Sequence, residues 1–147
     1  MITYRDYEEN DWQAICNIHD RARPDELNGS CDPRAFIPIE QDEEVEDLKR
    51  SRKIVACDGD KVVGFSAIDE KYISFLYVDP DYYHRGIGRK LLQLSTNAIG
   101  QGAWTIVLDK NYPAIGLYES EGFKETNRFE SDNAGYPCTC LRMEHNK

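Results

Sequence analysis

The residues Val78-Asp79-Pro80-Asp81-Tyr82-Tyr83-His84-Arg85-Gly86-Ile87-Gly88-Arg89-Lys90-Leu91-Leu92 are the most informative stretch of the chain. An apolar run ends there, a basic turn containing Gly86 and Gly88 follows, and a helical apolar spacing begins. Glycine lets a backbone approach a ligand closely, and the first N–H groups of a helix lack acceptors of their own, so such a turn suits phosphate oxygens. His84, Arg85, Arg89 and Lys90 concentrate positive charge there, against a formal net charge of −9 for the whole chain. Glycines in this setting also serve a tight turn or close helix packing, and both readings stand at this level. Neither common nucleotide signature fits. A P-loop needs Gly-Lys-Ser or Gly-Lys-Thr, whereas Gly88 precedes Arg89 and Lys90, and a dinucleotide fingerprint needs a third glycine where Leu91 stands.

A second constellation follows at Asn111-Tyr112-Pro113-Ala114-Ile115-Gly116-Leu117-Tyr118-Glu119-Ser120-Glu121-Gly122-Phe123. Asn111 sits where its amide can bond a ligand or cap a helix, Pro113 suits a first helical turn, and Gly122 suits a helix end. Tyr118 shares a helix face with Ala114, whose small side chain leaves room for a thin ligand arm. An aromatic packed in a core is the structural alternative for Tyr118.

Together these stretches resemble the GNAT superfamily of acetyltransferases. Val78-Asp79-Pro80 followed by Arg85-Gly86-Ile87-Gly88 and Leu91-Leu92 is similar to its pyrophosphate motif, Q/R-x-x-G-x-G/A, and residues 111–123 match N-x-x-A-x-x-x-Y-x-x-x-G-F. One position departs: Tyr83 stands where the motif has Gln or Arg. The resemblance implies acetyl-CoA as co-substrate, without a metal, held by Leu76, Tyr77, Val78, Tyr83, His84, Arg85, Gly86, Ile87, Gly88, Arg89, Asn111, Ala114 and Tyr118. It implies a V-shaped opening between strands 72–78 and 104–108, with the pantetheine arm on the backbone near Leu76 and Val78. It also implies that Tyr118 protonates the departing thiolate. The expected reaction is direct attack by a primary amine, of a small molecule or a protein, on the thioester. A catalytically weak acetyl-CoA-binding or sensing module is the alternative, and transfer to an amine carried on RNA is a third reading.

An alkyl ammonium with a pKa near ~10.4 is only about one part in a thousand free amine at neutral pH, so a proton must be removed. Many relatives place a glutamate on the fourth or fifth strand, where this chain offers Ser74 and Ile106. The remaining candidates are Asp69, Glu70, Glu43, Glu44 and His84, with a water chain equally tenable. A covalent route through Cys31, Cys57 or Cys138 lacks a visible histidine partner.

The elements that must position these residues follow from periodicity. Ile2 to Tyr7 suggests a strand, and Asn10 or Asp11 a cap for a helix carrying Trp12, Ile15, Cys16, His19 and Ala22. Residues 23–38 hold three prolines and Gly29 and read as a loop. Residues 40–47 hold six carboxylates ahead of Lys49, Arg50 and Arg52, the pattern of a solvated helix that either only solubilises or walls the acceptor pocket. Residues 53–57 and 61–68 flank Asp58-Gly59-Asp60, a hairpin signal, and 72–78 adds a third strand. A helix over 86–99, a strand over 104–108, a helix over 113–121, and strands 123–129 and 136–143 around Asp132-Asn133-Ala134-Gly135 complete the order. The result is an α+β fold with a mixed, mostly antiparallel central sheet of about seven strands and flanking helices, three layers in the α/β/α sense.

The chain has 147 residues, 40% of them apolar, which suits one domain over residues 1–147. The 18 Lys and Arg against 27 Asp and Glu disfavour nucleic acid and anionic membrane and favour a cationic substrate. The first residues are acidic rather than signal-like and no window is long and apolar enough to span a bilayer, so a cytoplasmic protein is expected. The 5 cysteines are scattered without C-x-x-C spacing, which argues for reduced thiols and against a zinc site. Cys138 and Cys140 share one strand face, where they either pack or pair. Relatives often pair through terminal strands, and by that analogy Tyr136 to Met143 could join two copies in a homodimer, although the sequence itself leaves the oligomeric state open.

Overall fold

The computed structural model describes residues 1–146; Lys147, the last residue of the expected domain, lies outside them. The strands are β1 (Ile2–Asp6), β2 (Arg52–Asp58), β3 (Lys61–Asp69), β4 (Tyr72–Val78), β5 (Trp104–Leu108), β6 (Phe123–Asn133) and β7 (Tyr136–His145). They form one seven-stranded sheet in the order β1-β2-β3-β4-β5-β7-β6, antiparallel throughout except for the parallel contact of β4 with β5. The turn between β2 and β3 is the expected two-residue hairpin, Asp58 facing Lys61 across Gly59 at φ 60°. Ala134 and Gly135, both at positive φ, close β6 onto β7.

Helices α1 (Trp12–Leu27) and α2 (Val45–Arg50) cover one face, and α3 (Ile87–Ile99) and α4 (Tyr112–Ser120) the other. On the first face Ile15, Cys16, Ile18 and Leu48 pack on Val55, Phe65, Ala67 and Phe75. On the second, Ile87 and Leu91 pack on Ile54, Ala56 and Val63, while Leu92 and Tyr118 pack on Ile73, Val107, Leu141 and Met143. These are the three layers expected from the alternation of the strands. Gly64 seats α3, because a Cβ there would lie 3.2 Å from both Ile87 Cγ2 and Leu91 Cδ1 and 3.3 Å from the Tyr77 carbonyl.

Four local expectations are corrected. The segment 23–38 is not loop from its start: α1 runs through Pro24 to Leu27. Leu27 is fully buried against Ala35, Leu108, Cys138 and Cys140, which is worth about 2 kcal/mol and offsets much of the cost of a proline close to a helix end. The acidic helix starts later, at Val45, because the Asp42 carboxylate accepts the Glu44 N–H at 2.8 Å and holds that backbone in a turn. Neither Asn10 nor Asp11 caps α1 with its side chain; the Asp11 carboxylate turns back to the Glu8 N–H at 2.8 Å and to Arg5 at 2.8 and 3.0 Å. Finally, the terminal strand β7 is not at the edge of the sheet but lies between β5 and β6, with Cys140–Glu144 paired on both sides.

Candidate active site

β4 and β5 touch through a single register pair, Tyr72 with Trp104, and beyond it no ladder joins them among the described residues. Two features hold that closed end: the Thr105 hydroxyl donates to the Ile73 carbonyl at 2.8 Å, and the rings of Tyr72 and Trp104 stack at 4.2 Å with Arg142 over Trp104. From there β4 stays with β3, pairing Leu76, Tyr77 and Val78 with Ser66, Phe65 and Gly64. Its other edge, facing β5, is therefore open. The register jump from Ala67–Phe75 to Ile68–Ile73 leaves Ser74 as the extra residue of a bulge, which bends β4 at the apex of the opening. The V-shaped gap expected between these strands is present.

At the mouth of the gap stands the start of α3. Gly86 takes φ 80°, and the first backbone bond of the helix runs from the Lys90 N–H to the Gly86 carbonyl, leaving the N–H groups of Ile87, Gly88 and Arg89 without helical acceptors. His84 is also held at φ 64°, unusual for a residue with a side chain. Gly86 is thus explained by its backbone. Gly88 is not: it lies in regular helix, and a Cβ there would meet Val78 Cγ2 and Leu117 Cδ2 at 3.7 and 3.9 Å, ordinary contact. Close approach of a ligand is the remaining physical reason for glycine there.

The basic side chains of this turn are less available than their sequence suggests. The Arg89 guanidinium bonds Glu121 and the Ser120 hydroxyl, bolting α3 to the end of α4. Arg85 lies over the Tyr82 ring at 4.8 Å, and Tyr83 donates its hydroxyl to Asp25 at 3.0 Å. His84 is exposed. Backbone N–H groups, rather than Tyr83, Arg85 or Arg89 side chains, are what the turn offers an anion.

On the far side of the gap, α4 begins at Tyr112 with Pro113 in its first turn. Asn111 makes no side-chain cap, so its amide is left to other partners. Ala114 and Tyr118 face the same apolar cluster, and the Tyr118 ring packs edge-on against Phe123 at 5.3 Å. Burial pushes the Tyr118 phenol well above its ordinary range; the Thr105 hydroxyl opposes that rise, and the Glu26 charge adds a smaller contribution to it. A phenol in this state is a proton donor across the whole neutral range.

Glu26 was not among the candidates of the sequence. It lies near the end of α1, in the segment expected to be loop, and no spacing rule marks it. Tyr77 of β4 donates its hydroxyl to Glu26 Oε1 at 2.6 Å, and Arg23 bonds the same oxygen while also reaching Asn133 Oδ1 at 3.1 Å. Burial, and then Glu26, raise the Tyr77 phenol far above its ordinary value. Burial and the charge of Glu44 push Tyr72 up to about 12, and loss of water followed by the charge of Asp42 raises the Glu44 carboxyl. Glu44 at the start of α2 therefore borders this face of the gap. Of the other base candidates, Asp69 lies 3.8 Å from Arg50, and Glu70 occupies the β3–β4 turn at φ 56°.

Four of the five thiols are buried, and Cys31 is half-buried with its sulfur 3.8 Å from the Tyr136 and Pro137 carbonyls. Cys57, Cys138 and Cys140 are buried, all five cysteines are free, and Cys138 and Cys140 face each other at 4.0 Å. Burial pushes the Cys138 thiol up to about 12. Among the described residues no group of three or more His, Cys, Asp or Glu is arranged to hold a metal ion, and no helix is long and apolar enough to cross a membrane.

Comparison with known proteins agrees with this geometry. Residues 49–125 match the acetyltransferase (GNAT) domain family. The chain is 33% identical to the peptidyl-lysine N-acetyltransferase YjaB of Salmonella typhimurium over 61% of each chain. It is 31% identical to YjaB of Escherichia coli over 75% of this chain and 78% of that one. Among solved structures, a GCN5-related N-acetyltransferase from Rhodopseudomonas palustris superposes with a TM-score of 0.84 at 19% identity, covering 97% of this chain and 94% of that one. The protein yncA of Salmonella typhimurium, solved with acetyl-CoA, superposes with a TM-score of 0.72 at 19% identity, covering 98% of this chain and 92% of that one. The chain belongs to the GNAT family and is an N-acetyltransferase.

Proposed function

We propose that this enzyme acetylates a protein lysine, with the co-substrate in the gap between β4 and β5 and the amine entering from the α1 face. The observation that carries the reading is the coincidence of an unpaired β4 edge with the free N–H groups at the start of α3. The first-turn N–H groups of Ile87, Gly88 and Arg89 bind the pyrophosphate. The backbone of Leu76, Tyr77 and Val78 accepts the pantetheine arm as a further strand would be accepted. The Asn111 amide bonds that arm, and Ala114 leaves room for it. When bound, acetyl-CoA supplies an acetyl group activated as a thioester. Tyr118 gives its phenolic proton to the sulfur as it leaves.

The lysine acceptor is supported by the activity named for YjaB and by the net charge of −9, which attracts a cationic side chain. The chemistry assigns no role to a metal or a covalent cysteine, and we place it in the cytoplasm, where thiols stay reduced. Incubation of the protein with acetyl-CoA and a panel of lysine peptides, peptides with free N-termini and alkyl diamines tests this, with acetylated product read by mass. Preferential acetylation of the lysine side chain supports the reading; acetylation confined to N-terminal amines or diamines overturns the lysine acceptor. Cofactor binding without transfer to any amine would instead favour a sensing module, consistent with the absence of a glutamate at Ser74 and Ile106.

A further inference from the structure

The geometry points to Glu26 as the acceptor-side catalytic residue: one carboxylate oxygen is anchored by Tyr77 and Arg23 while the other binds the incoming ammonium and takes its proton. The inference rests on the reading of the gap as the site of acetyl transfer and names the group missing from it. The sheet offers Ser74 and Ile106, which cannot accept a proton usefully, so a base must come from elsewhere. A helix supplies one here, because α1 continues past Pro24.

Both donors to Glu26 converge on Oε1, and among the described residues no donor reaches Oε2. The side chain keeps 25% of its surface exposed. This is the arrangement of a carboxylate fixed in direction with a free lone-pair face, and it differs from a closed structural pair, in which both oxygens are engaged. Tyr77 ties it to β4, whose opposite edge is the open one, and Arg23 ties it through Asn133 to the β6–β7 hairpin. The anchor therefore spans the gap on the α1 face, while Tyr118 enters from the α4 side. The charged and titratable groups around Glu26 are Arg23, Glu44, Tyr72, Tyr77, Tyr83 and Tyr118. Glu44 prevents Arg23 from cancelling the negative character of the pocket, which selects a cationic amine.

The proton balance closes. The ammonium loses one proton to Glu26, and the free amine nitrogen forms a bond to the thioester carbonyl carbon. The carbon–sulfur bond breaks, the sulfur takes the Tyr118 proton, and the second proton on the new amide nitrogen returns to the Tyr118 oxygen. Glu26 then releases its proton to water. Amine, carboxylate and phenol thus sit on two sides of one opening, with the reacting carbon between them.

The test compares wild type, Glu26→Gln, Glu26→Asp, Tyr77→Phe and Glu44→Gln across pH 6 to 10, with the best acceptor from the amine panel described above, and measures acetyl-CoA affinity of each by calorimetry. Glu26→Gln is expected to lose at least ~100-fold in kcat/KM for the amine at pH 7, with acetyl-CoA affinity within about twofold of wild type. The deficit shrinks as pH approaches the amine's own ~10.4, where free amine needs no base. Glu26→Asp recovers part of the loss, Glu44→Gln stays within about tenfold, and Tyr77→Phe lowers kcat/KM for the amine by less than Glu26→Gln does, because one of the two anchors that orient the carboxylate is gone. A Glu26→Gln enzyme within about threefold of wild type at pH 7, or one whose deficit is the same at every pH, overturns the role of Glu26. A wild-type protein that acetylates no member of the panel overturns the reading of the site itself, and this inference with it.

Discussion

At the scale of single residues, the chemistry depends on groups whose surroundings fix their protonation. Tyr118 is buried enough that its phenol stays protonated beyond its ordinary value of 10.0, so kcat should show no alkaline fall attributable to it below about pH 10. Replacing it with Phe keeps the ring packed on Phe123 and removes only the proton; kcat should drop at least ~100-fold while acetyl-CoA affinity changes by less than about twofold. Steady-state kinetics beside calorimetry measures both. Unchanged turnover would show that the sulfur finds its proton elsewhere. The same scale explains why arginines that look like phosphate ligands in the sequence are engaged otherwise. A basic residue can be placed near a helix start by its number, but whether Glu121 or a phosphate claims Arg89 is decided by which carboxylate the end of α4 brings alongside.

At the scale of elements, the start of α3 separates structural glycine from functional glycine. Gly86 sits at φ 80°, so Gly86→Ala should cost about 1–2 kcal/mol of stability by forcing a side chain into left-handed backbone. Gly88→Asp should behave in the opposite way. Its Cβ meets only ordinary contacts, and an anion in the first turn favours the helix dipole, so the melting temperature should hold or rise. Acetyl-CoA affinity should nevertheless fall at least ~10-fold, since the carboxylate faces the same N–H groups as the pyrophosphate. Thermal melts and cofactor titrations of the two variants test this pairing; a Gly88→Asp protein that binds normally would place the pyrophosphate elsewhere. The turn before α3, the hairpin at Gly59 and the order of strands and helices were legible because each rests on local rules of spacing and backbone. Glu26 was not, because it needed α1 to persist through Pro24, and that was decided by the burial of Leu27 against β5 and β7. The interior place of β7 was hidden for the same reason: strand order depends on long-range pairing, which no window of sequence reports.

At the scale of the whole molecule, two halves of the sheet are held apart at one end and together at the other. The β1–α1 corner is one of the ties on which the first half depends. Arg5 holds the Asp11 carboxyl below its ordinary value, first through their paired hydrogen bonds and with help from the Glu8 N–H, while burial opposes it. A carboxyl depressed in the fold adds stability above the unfolded value, near ~3.8, and that contribution is lost as pH falls below it toward the folded value. Arg5→Met should therefore cost about 1 kcal/mol at pH 7, a small figure because the Arg5 side chain is exposed, and the difference from wild type should shrink as pH falls below ~3.8. Denaturant titrations at both pH values measure it, and a constant difference would show that the arginine acts through packing alone. The opposite half carries the splay from which the activity follows. Calorimetric titration of the folded protein with acetyl-CoA, with ATP and NADP as controls, tests that splay most directly. Saturable binding at micromolar or lower concentration, specific to the CoA ligand, is the predicted result. A folded sample that takes up no acetyl-CoA would contradict the assignment of the β4–β5 gap and the start of α3 as the site of acetyl transfer.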